Sequence, residues 1–309
     1  MTVAVVFPGQ GSQEVGMADP WLAHPVSAAA LQEASDVLET DIVEVCRDGE
    51  ALDRTEVVQT AVFACDLAAW RLLESAGVEP AAVAGHSLGE FVALVAAGVI
   101  ELRPALVAVR DRALAMGEAS ASPKGGMTAL VGLSPEDAAE VCQIAGRGDV
   151  LTVANENSPK QTVLSGTIAA IERAEDLART RGARPVRLKV AGAFHSPLMR
   201  PALQGVRDAV ARLHFEEARF PVVPNVSGRP TTHPFALRDL LSRQLVSPVR
   251  WEKSMRAMAD IGVTTIVEAG PGEVLAKLAK RGVPGIAAVS VGTPGGALEF
   301  VASVREEAV

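Results

Sequence analysis

In the first third of the chain, short apolar runs alternate with longer segments of helical periodicity. Residues 3–7 and 81–84 are short runs rich in alanine and valine, and each predicts a buried strand. Elsewhere the apolar residues recur at helical spacing, and helices are predicted at residues 60–76, 88–97 and 103–120. Strands that alternate with helices favour a parallel sheet covered on both faces, so the predicted fold class is α/β.

From residue 125 onward the predicted strands follow one another more closely. Strands are predicted at residues 127–133, 150–154, 161–165 and 184–190, and helices at residues 135–144 and 167–181. The order strand-helix-strand-strand-helix-strand is a split βαβ arrangement. Because it interrupts an α/β chain, we expect residues 126–195 to form a small inserted domain, with residues 1–125 and 196–309 forming the larger one.

After residue 195 the α/β pattern returns. Helices are predicted at residues 197–213, 237–245 and 251–261, and strands at residues 222–226 and 265–269. The last segment, residues 297–309, is predicted to be a surface helix.

The composition narrows the classes of function. Of the 309 residues, 49% are hydrophobic and 21% are charged, which is sufficient for a buried core. A net charge of -8 argues against nucleic-acid binding, and no apolar run reaches the roughly 18 residues of a membrane span. The N-terminus lacks a signal-peptide pattern. The three cysteines, Cys46, Cys65 and Cys142, form no Cys-x-x-Cys pair, so we expect reduced thiols in a cytoplasmic protein, a reactive role for one of them being less favoured.

The motif Gly-His-Ser-Leu-Gly at residues 85–89 follows a predicted strand and opens a predicted helix. That is the context of a nucleophile elbow, a sharp turn that exposes the serine hydroxyl. The N–H group of Leu88 would then point at a developing oxyanion, beside the positive end of a helix. We predict Ser87 as a nucleophile, and the alternative is an ordinary glycine-rich turn.

A serine nucleophile needs a base, and the chain offers His24, His86, His195, His214 and His233. His195 is favoured because it lies where a predicted strand ends and a helix begins, whereas the side chain of His86 should point away from Ser87. None of the acidic residues between Ser87 and His195 follows a strand of the larger domain; those considered are Glu90, Asp111, Asp137, Asp149 and Asp176. A backbone carbonyl could therefore orient the imidazole in place of a carboxylate.

Two further segments could contribute to such a site. The loop Phe-Pro-Gly-Gln-Gly-Ser-Gln at residues 7–13 lacks the Gly-Lys-Ser/Thr of a phosphate loop, so it is either an oxyanion donor or a plain turn. Arg110 and Arg112 cannot face the same way on one helix. Either is by default a surface residue, but an arginine that points into the site would bind a substrate carboxylate.

Together these motifs resemble the malonyl-CoA:acyl carrier protein transacylase family over nearly the whole chain. The segments that match are residues 7–13, 85–90, 155–161, 192–199 and 268–272. The resemblance implies a hydrolase-like α/β domain with a ferredoxin-like βαββαβ insert, in agreement with the division predicted above.

The resemblance also implies a role for each matching residue. Ser87 would be the nucleophile and His195 its base. The N–H groups of Gln10 and Leu88 would form the oxyanion hole, and Arg112 would bind the substrate carboxylate. The backbone carbonyl of Gln244 would orient the histidine. We place Met116, Asn157 and Phe194 in the substrate pocket, where a bulky Phe194 leaves less room for a branched acyl group.

The implied reaction is ping-pong malonyl transfer from malonyl-CoA to the phosphopantetheine thiol of an acyl carrier protein, for fatty-acid or polyketide synthesis. It needs no metal and no cofactor apart from the acyl-CoA substrate, and a monomer is expected. The alternatives are a discrete polyketide acyltransferase with another acyl unit, a serine hydrolase of acyl thioesters, a patatin-like lipase, the related malonate decarboxylase subunit and a non-catalytic carrier-binding module. A patatin-like lipase would need an aspartate in an Asp-Gly-Gly or Asp-Gly-Ala turn. The only Asp-Gly pair, Asp48-Gly49, is followed by Glu50 and fits that interpretation poorly.

Overall fold

The structure is a computed structural model that describes residues 1–121 and 124–306. Its strands are β1 (Val3–Phe7), β2 (Ala82–Gly85), β3 (Gly125–Val131), β4 (Leu151–Ser158), β5 (Gln161–Thr167), β6 (Arg184–Arg187), β7 (Val222–Val223), β8 (Thr265–Ala269) and β9 (Ala287–Val291). Its helices are α1 (Pro25–Leu38), α2 (Ile42–Arg47), α3 (Gly49–Leu52), α4 (Thr55–Ser75), α5 (Gly89–Ala96), α6 (Leu102–Ser120), α7 (Pro135–Gly146), α8 (Ile168–Thr180), α9 (Arg200–Ala211), α10 (Pro234–Arg243), α11 (Trp251–Asp260), α12 (Val274–Gly282) and α13 (Pro294–Glu306).

The larger sheet is parallel, with the strand order β7-β2-β1-β8-β9. Alternate residues of β1 pack on opposite faces of this sheet: Val5 and Phe7 join the core that contains α4, α5 and α6, whereas Ala4 and Val6 join the core that contains α11 and α12. Because both faces are covered, the strand is apolar throughout. The predicted α/β class is therefore confirmed.

The neighbouring strands β1 and β2 bring two loops together at one edge of this sheet. Phe7 is paired in register with Gly85, so the loop after β1 lies beside the motif at residues 85–89. The N–H group of His86 donates to the carbonyl of Phe7 at 2.9 Å and joins the two loops directly. Ligand-binding groups of open α/β sheets collect at this carboxyl edge.

The smaller sheet is antiparallel, with the strand order β4-β5-β3-β6. Helices α7 and α8 cover one of its faces through a separate apolar core. Met127, Ala129 and Val163 on the opposite face pack instead into the main core of the larger sheet. Strand β4 also contacts the larger body, because Val249 donates to Ala154 at 2.8 Å through its N–H group. The smaller sheet therefore lies directly over the edge where the loops of β1 and β2 meet.

The order of predicted elements is observed, but several bounds differ. Strand β7 has two residues instead of the predicted five, because Pro221 and Pro224 flank it and proline cannot donate to a ladder. Strand β6 ends at Arg187, and the helix predicted from residue 197 opens with a 3-10 turn, Pro197–Met199. The prediction did not include β9 or the helices α1, α2, α3 and α12.

The surface helix predicted at the end of the chain is observed as α13, in which most residues are exposed or half-buried. α13 buries Ala297, Phe300 and Val301 and packs against α4. Apolar residues at helical spacing are what allow this face to be buried. Residues 307–309 of the predicted helix lie outside the described residues.

Candidate active site

Ser87 lies on a tight turn between β2 and α5 and has a left-handed backbone, with φ of 52°. A Cβ atom at Gly85 would overlap the backbone of Gly89, and a Cβ atom at Gly89 would overlap the carbonyl of Phe7. Only glycine therefore lets the strand and the helix approach this closely. A left-handed non-glycine residue costs about 1–3 kcal/mol, which the surroundings must offset.

Asn225, which follows β7, holds this turn from the side. The N–H group of Ser87 donates to Asn225 Oδ1 at 2.7 Å. In turn, Asn225 Nδ2 donates to the carbonyl of Gly85 at 2.6 Å. One buried amide therefore fixes the backbone on both sides of His86.

The serine hydroxyl contacts a histidine that, in the part of the chain that the structure describes, has no carboxylate as a hydrogen-bond partner. Ser87 Oγ lies 2.8 Å from His195 Nε2. On the far side of the ring, Nδ1 lies 3.1 Å from the carbonyl of Gln244 and 3.2 Å from that of Ser247. Two carbonyl acceptors require the proton on Nδ1, so the Nε2 lone pair faces the serine. Gln244 was predicted in this place, whereas Ser247 was not.

His195 is buried, and this environment favours its neutral form. Burial, together with the nearby positive charge of Arg112, lowers the pKa of His195 to about 3, although the carbonyls of Gln244 and Ser247 oppose the shift. A neutral imidazole at neutral pH can accept the proton of an attacking hydroxyl.

Of the two arginines of α6, Arg112 points into the site and Arg110 does not. Arg112 is therefore the one that could bind a substrate carboxylate. Arg110 is exposed and pairs with Asp111 at 3.1 Å. Arg112 is 1% exposed, and its Nη2 donates to Ser87 Oγ at 3.1 Å. It also donates hydrogen bonds to two side-chain amide oxygens, those of Gln59 and Gln244.

The guanidinium of Arg112 keeps its charge without a contacting carboxylate among the described residues. Burial lowers the pKa of Arg112 to about 10, and the charge of Glu90 opposes this shift. A buried positive charge without a direct ion pair is costly. It is therefore suited to bind a substrate that brings its own carboxylate next to Ser87.

Two backbone N–H groups face the same space. Within residues 1–121 and 124–306, the N–H groups of Gln10 and Leu88 have no hydrogen-bond partner, and both residues line the cavity beside Ser87. The loop of Gln10 is closed by Ser12, whose hydroxyl donates to the carbonyl of Gly9 at 2.8 Å. The two groups are available to an oxyanion, and that role stays a prediction.

The cavity has a volume of about 250 Å³ and lies between the two sheets. Its walls include all three predicted pocket residues, Met116, Asn157 and Phe194. Asn157 Oδ1 also lies 3.0 Å from His86 Nε2, so His86 faces away from Ser87 as expected. Burial lowers the pKa of His86, although the bond with Asn157 opposes the shift. None of the residues that line this cavity is His24, His214 or His233.

Four residues around the site were not assigned a role from the sequence: Gln59, Glu90, Asn225 and Ser247. Glu90 is a charged residue inside the otherwise apolar helix α5, and that pattern could have identified it. Gln59 lies in α4 among several other polar residues, so its sequence context gives no such signal. Asn225 and Ser247 lie in irregular segments, where the sequence gives no comparable signal.

Residues 1–121 and 124–306 contain neither a candidate membrane span nor a candidate metal-binding cluster. No helix there is both long and apolar enough to cross a bilayer. No group of three or more His, Cys, Asp or Glu side chains in the same range could hold a metal ion.

The class of enzyme to which this fold and serine-histidine pair belong follows from the sequence comparison. The profile described as "Acyl transferase domain" matches residues 4–298, which is nearly the whole chain. The chain therefore belongs to the acyl transferase domain family.

Particular relatives narrow this class. The chain is 40% identical over 296 residues to the malonyl CoA-acyl carrier protein transacylase of Salmonella typhimurium, covering 94% of this chain and 96% of that one. It is 40% identical to the acyl-carrier-protein S-malonyltransferase of Burkholderia pseudomallei, whose crystal structure superposes with a TM-score of 0.93 over 98% of this chain and 100% of that one. A third structure is a malonyl-transacylase in complex with a type II PKS acyl-carrier protein, at 36% identity and a TM-score of 0.94, covering 98% of this chain and 100% of that one.

Proposed function

We propose that this chain transfers a malonyl group from malonyl-CoA to the phosphopantetheine thiol of an acyl carrier protein. The observation that carries the proposal is the buried Arg112, which contacts Ser87 Oγ and has no carboxylate against it among the described residues. A neutral acyl group has no use for this charge, whereas malonate supplies the missing partner. The names of the similar proteins support the same reaction.

In the first half-reaction, Ser87 Oγ attacks the thioester carbonyl of malonyl-CoA while His195 Nε2 takes the hydroxyl proton. The oxyanion accepts hydrogen bonds from the N–H groups of Gln10 and Leu88. When the C–S bond breaks, the imidazolium returns its proton to the departing CoA sulfur. The malonyl group remains as an ester on Ser87, with its carboxylate on Arg112.

In the second half-reaction, the carrier thiol gives its proton to His195 and its sulfur attacks the ester. The tetrahedral intermediate uses the same oxyanion hole. His195 then protonates Ser87 Oγ as the ester bond breaks, and the malonyl thioester leaves on the carrier. The backbone carbonyl of Gln244 holds the imidazole in the required tautomer throughout.

Malonyl selectivity is proposed to involve the shape of the pocket as well as the charge. Phe194 is 6% exposed and lines the cavity beside Met116. A bulky ring there disfavours a branched acyl group, but discrimination by one methyl group is limited to about 1–3 kcal/mol.

The architecture is proposed to be a hydrolase-like domain, residues 1–125 and 196–309, with a ferredoxin-like insert, residues 126–195. The support for the insert is its strand order, β4-β5-β3-β6, with two helices on one face. Residues 122, 123 and 307–309 of these ranges lie outside the described residues. We further propose a cytoplasmic monomer that needs no metal and no cofactor beyond its acyl-CoA substrate.

The test is to incubate the protein with malonyl-CoA and to measure its intact mass before and after adding an acyl carrier protein. A malonyl adduct should form, disappear in the Ser87→Ala variant and be discharged to the carrier. Ser227→Ala changes a serine outside the cavity wall and should load normally. Failure to form an adduct, or discharge only to water, would overturn the transferase proposal.

A further inference from the structure

We infer that Glu90 is a positioning residue that fixes the serine, histidine and arginine of this site through two buried residues, Asn225 and Gln244. The inference rests on the proposed function, because the experiments that test it measure acyl loading. Glu90 does not line the cavity, so it acts through other residues and does not touch the substrate.

Glu90 is an unusual residue for its position. It is the second residue of α5, whose sequence Gly-Glu-Phe-Val-Ala-Leu-Val-Ala is otherwise apolar, and it is 1% exposed. A buried carboxyl group is costly unless it is hydrogen-bonded. Glu90 Oε2 accepts two hydrogen bonds, and both come from residues that hold the active site.

The first hydrogen bond leads to the elbow. Glu90 Oε2 accepts from the N–H group of Asn225 at 3.1 Å. The side chain of Asn225 is the amide that binds both the N–H group of Ser87 and the carbonyl of Gly85. Because Ser87 has a strained left-handed backbone, this support decides whether the hydroxyl keeps its direction.

The second hydrogen bond leads to the other two groups. Gln244 Nε2 donates to Glu90 Oε2 and to the carbonyl of Ser87, each at 2.8 Å. Gln244 Oε1 accepts from Arg112 Nη2 at 3.2 Å, and the backbone carbonyl of the same glutamine accepts from His195 Nδ1.

Glu90 sets which way the amide of Gln244 faces. An amide presents an acceptor on one side and donors on the other, whereas Arg112 only donates. If the amide turned over, its NH₂ group would face the guanidinium and both partners would lose a hydrogen bond. An acceptor at Glu90 keeps the NH₂ group on its own side and the oxygen on the side of Arg112.

This function does not require a charged Glu90. Burial raises the pKa of Glu90 to about 7, while the hydrogen bonds from Gln244 and Asn225 and the charge of Arg112 oppose the shift. The protonated carboxyl group retains an oxygen that accepts. Glutamine offers the same acceptor in nearly the same shape, so Glu90→Gln should preserve both hydrogen bonds.

The first experiment compares malonyl and acetyl loading in Glu90→Ala, Glu90→Gln and the control Glu299→Ala, which changes an exposed glutamate of α13. Rates are read from intact mass after rapid quenching. Glu90→Ala should lower malonyl loading about 100-fold, the size expected when reacting groups are misplaced by about 1 Å. It should lower acetyl loading by a smaller factor, because acetate does not use Arg112. Glu90→Gln should stay within about fivefold of the unaltered chain, whereas equal losses of both acyl groups in Glu90→Ala would overturn the inference.

The second experiment separates the two amides. Gln244→Ala should lower the malonyl-to-acetyl ratio about tenfold, and adding Glu90→Ala to it should leave that ratio unchanged within about twofold. Asn225→Ala should lower both loading rates together. Ratio effects of Glu90→Ala and Gln244→Ala that multiply would overturn the inference, because independent residues behave in that way. If Glu90→Ala does not fold, a Gln244→Ala variant with an unchanged ratio would overturn it equally.

The two proposals fail in different ways. An unaltered chain that takes no acyl group from malonyl-CoA contradicts the proposed function. Normal malonyl loading in the unaltered chain, with the same rate and ratio in Glu90→Ala, contradicts only the positioning by Glu90.

Discussion

The two sheets meet at one cavity but contribute to it in different ways. Strand β2 of the larger sheet ends in a strained loop, where Ser87 has a left-handed backbone held by Asn225. His195 is also left-handed, lies in the segment that returns from β6 to the larger body, and is held by Gln244. The smaller sheet lines the cavity with the apolar side chains of Met127, Ala129 and Val163 and with three side-chain amides, those of Asn155, Asn157 and Gln161. The contrast indicates that the groups that make and break bonds are fixed outside the strands of the smaller sheet, whereas the smaller sheet forms a wall.

The largest effect should come from removing the base, which lies in the segment between β6 and the larger body. His195→Ala should lower malonyl loading about 10³-fold, because general base catalysis contributes roughly 10²–10⁴-fold. Rapid-quench intact mass measures the rate, and circular dichroism checks the fold. His214→Ala, which changes an exposed histidine paired with Glu216, is the matched control. A loss below about tenfold would mean that the serine is activated by another group.

The next effect tests the charge beside the serine. Arg112→Ala should lower malonyl loading about 100-fold and acetyl loading only a few-fold, because a buried charge-assisted contact is worth roughly 2–5 kcal/mol. Arg110→Ala, on the exposed side of the same helix, should leave both rates unchanged. An equal loss for the two acyl groups in Arg112→Ala would refute the carboxylate contact.

A residue's role could be predicted from the sequence when the residue belonged to a local pattern. Ser87 lies in a five-residue motif whose strand-turn-helix context was visible in the sequence, and the structure shows that turn. The order of strands and helices could be predicted because apolar spacing follows burial.

The remaining features depended on contacts between distant parts of the chain. Asn225 reaches Ser87 across 138 positions, and Ser247 reaches His195 across 52, so no local spacing marks either one. Helical periodicity shows only that Arg110 and Arg112 face different ways. It does not say which of the two points into the site, and only the resemblance to a family assigned that place to Arg112. The predicted length of β7 was wrong because the prediction did not take its two flanking prolines into account.

Lowering the pH should change the free energy of unfolding through His195. The pKa of His195 in the folded chain is about 3, below its usual 6.5. Between these two values the unfolded chain binds more protons than the folded chain, so the free energy of unfolding decreases as the pH decreases. From pH 7 to 5 this contribution is about 2 kcal/mol, and His195→Gln should remove it. Urea unfolding at several pH values measures the difference between the two chains.

Glu90 should act with the opposite sign in the same range. Its folded pKa of about 7 lies above the usual 4.5, so between those values the folded chain binds more protons and acidification stabilises it. Glu90→Gln should therefore lose more stability than the unaltered chain from pH 7 to 5. Identical pH dependences for Glu90→Gln, His195→Gln and the unaltered chain would contradict both assignments.

The smallest effect on rate is expected in the wall formed by the smaller sheet. Val163 is 3% exposed and lines the cavity, so Val163→Ala should destabilise the fold by about 1–2 kcal/mol through lost packing. Malonyl loading should stay within about threefold, because Val163 is not one of the residues that hydrogen-bond to Ser87. Val186→Ala, at a valine that is 38% exposed in β6, is the matched control and should change neither quantity. If Val163→Ala lowered malonyl loading more than about tenfold at unchanged stability, the smaller sheet would be placing the acyl group, and the two regions would share the chemistry.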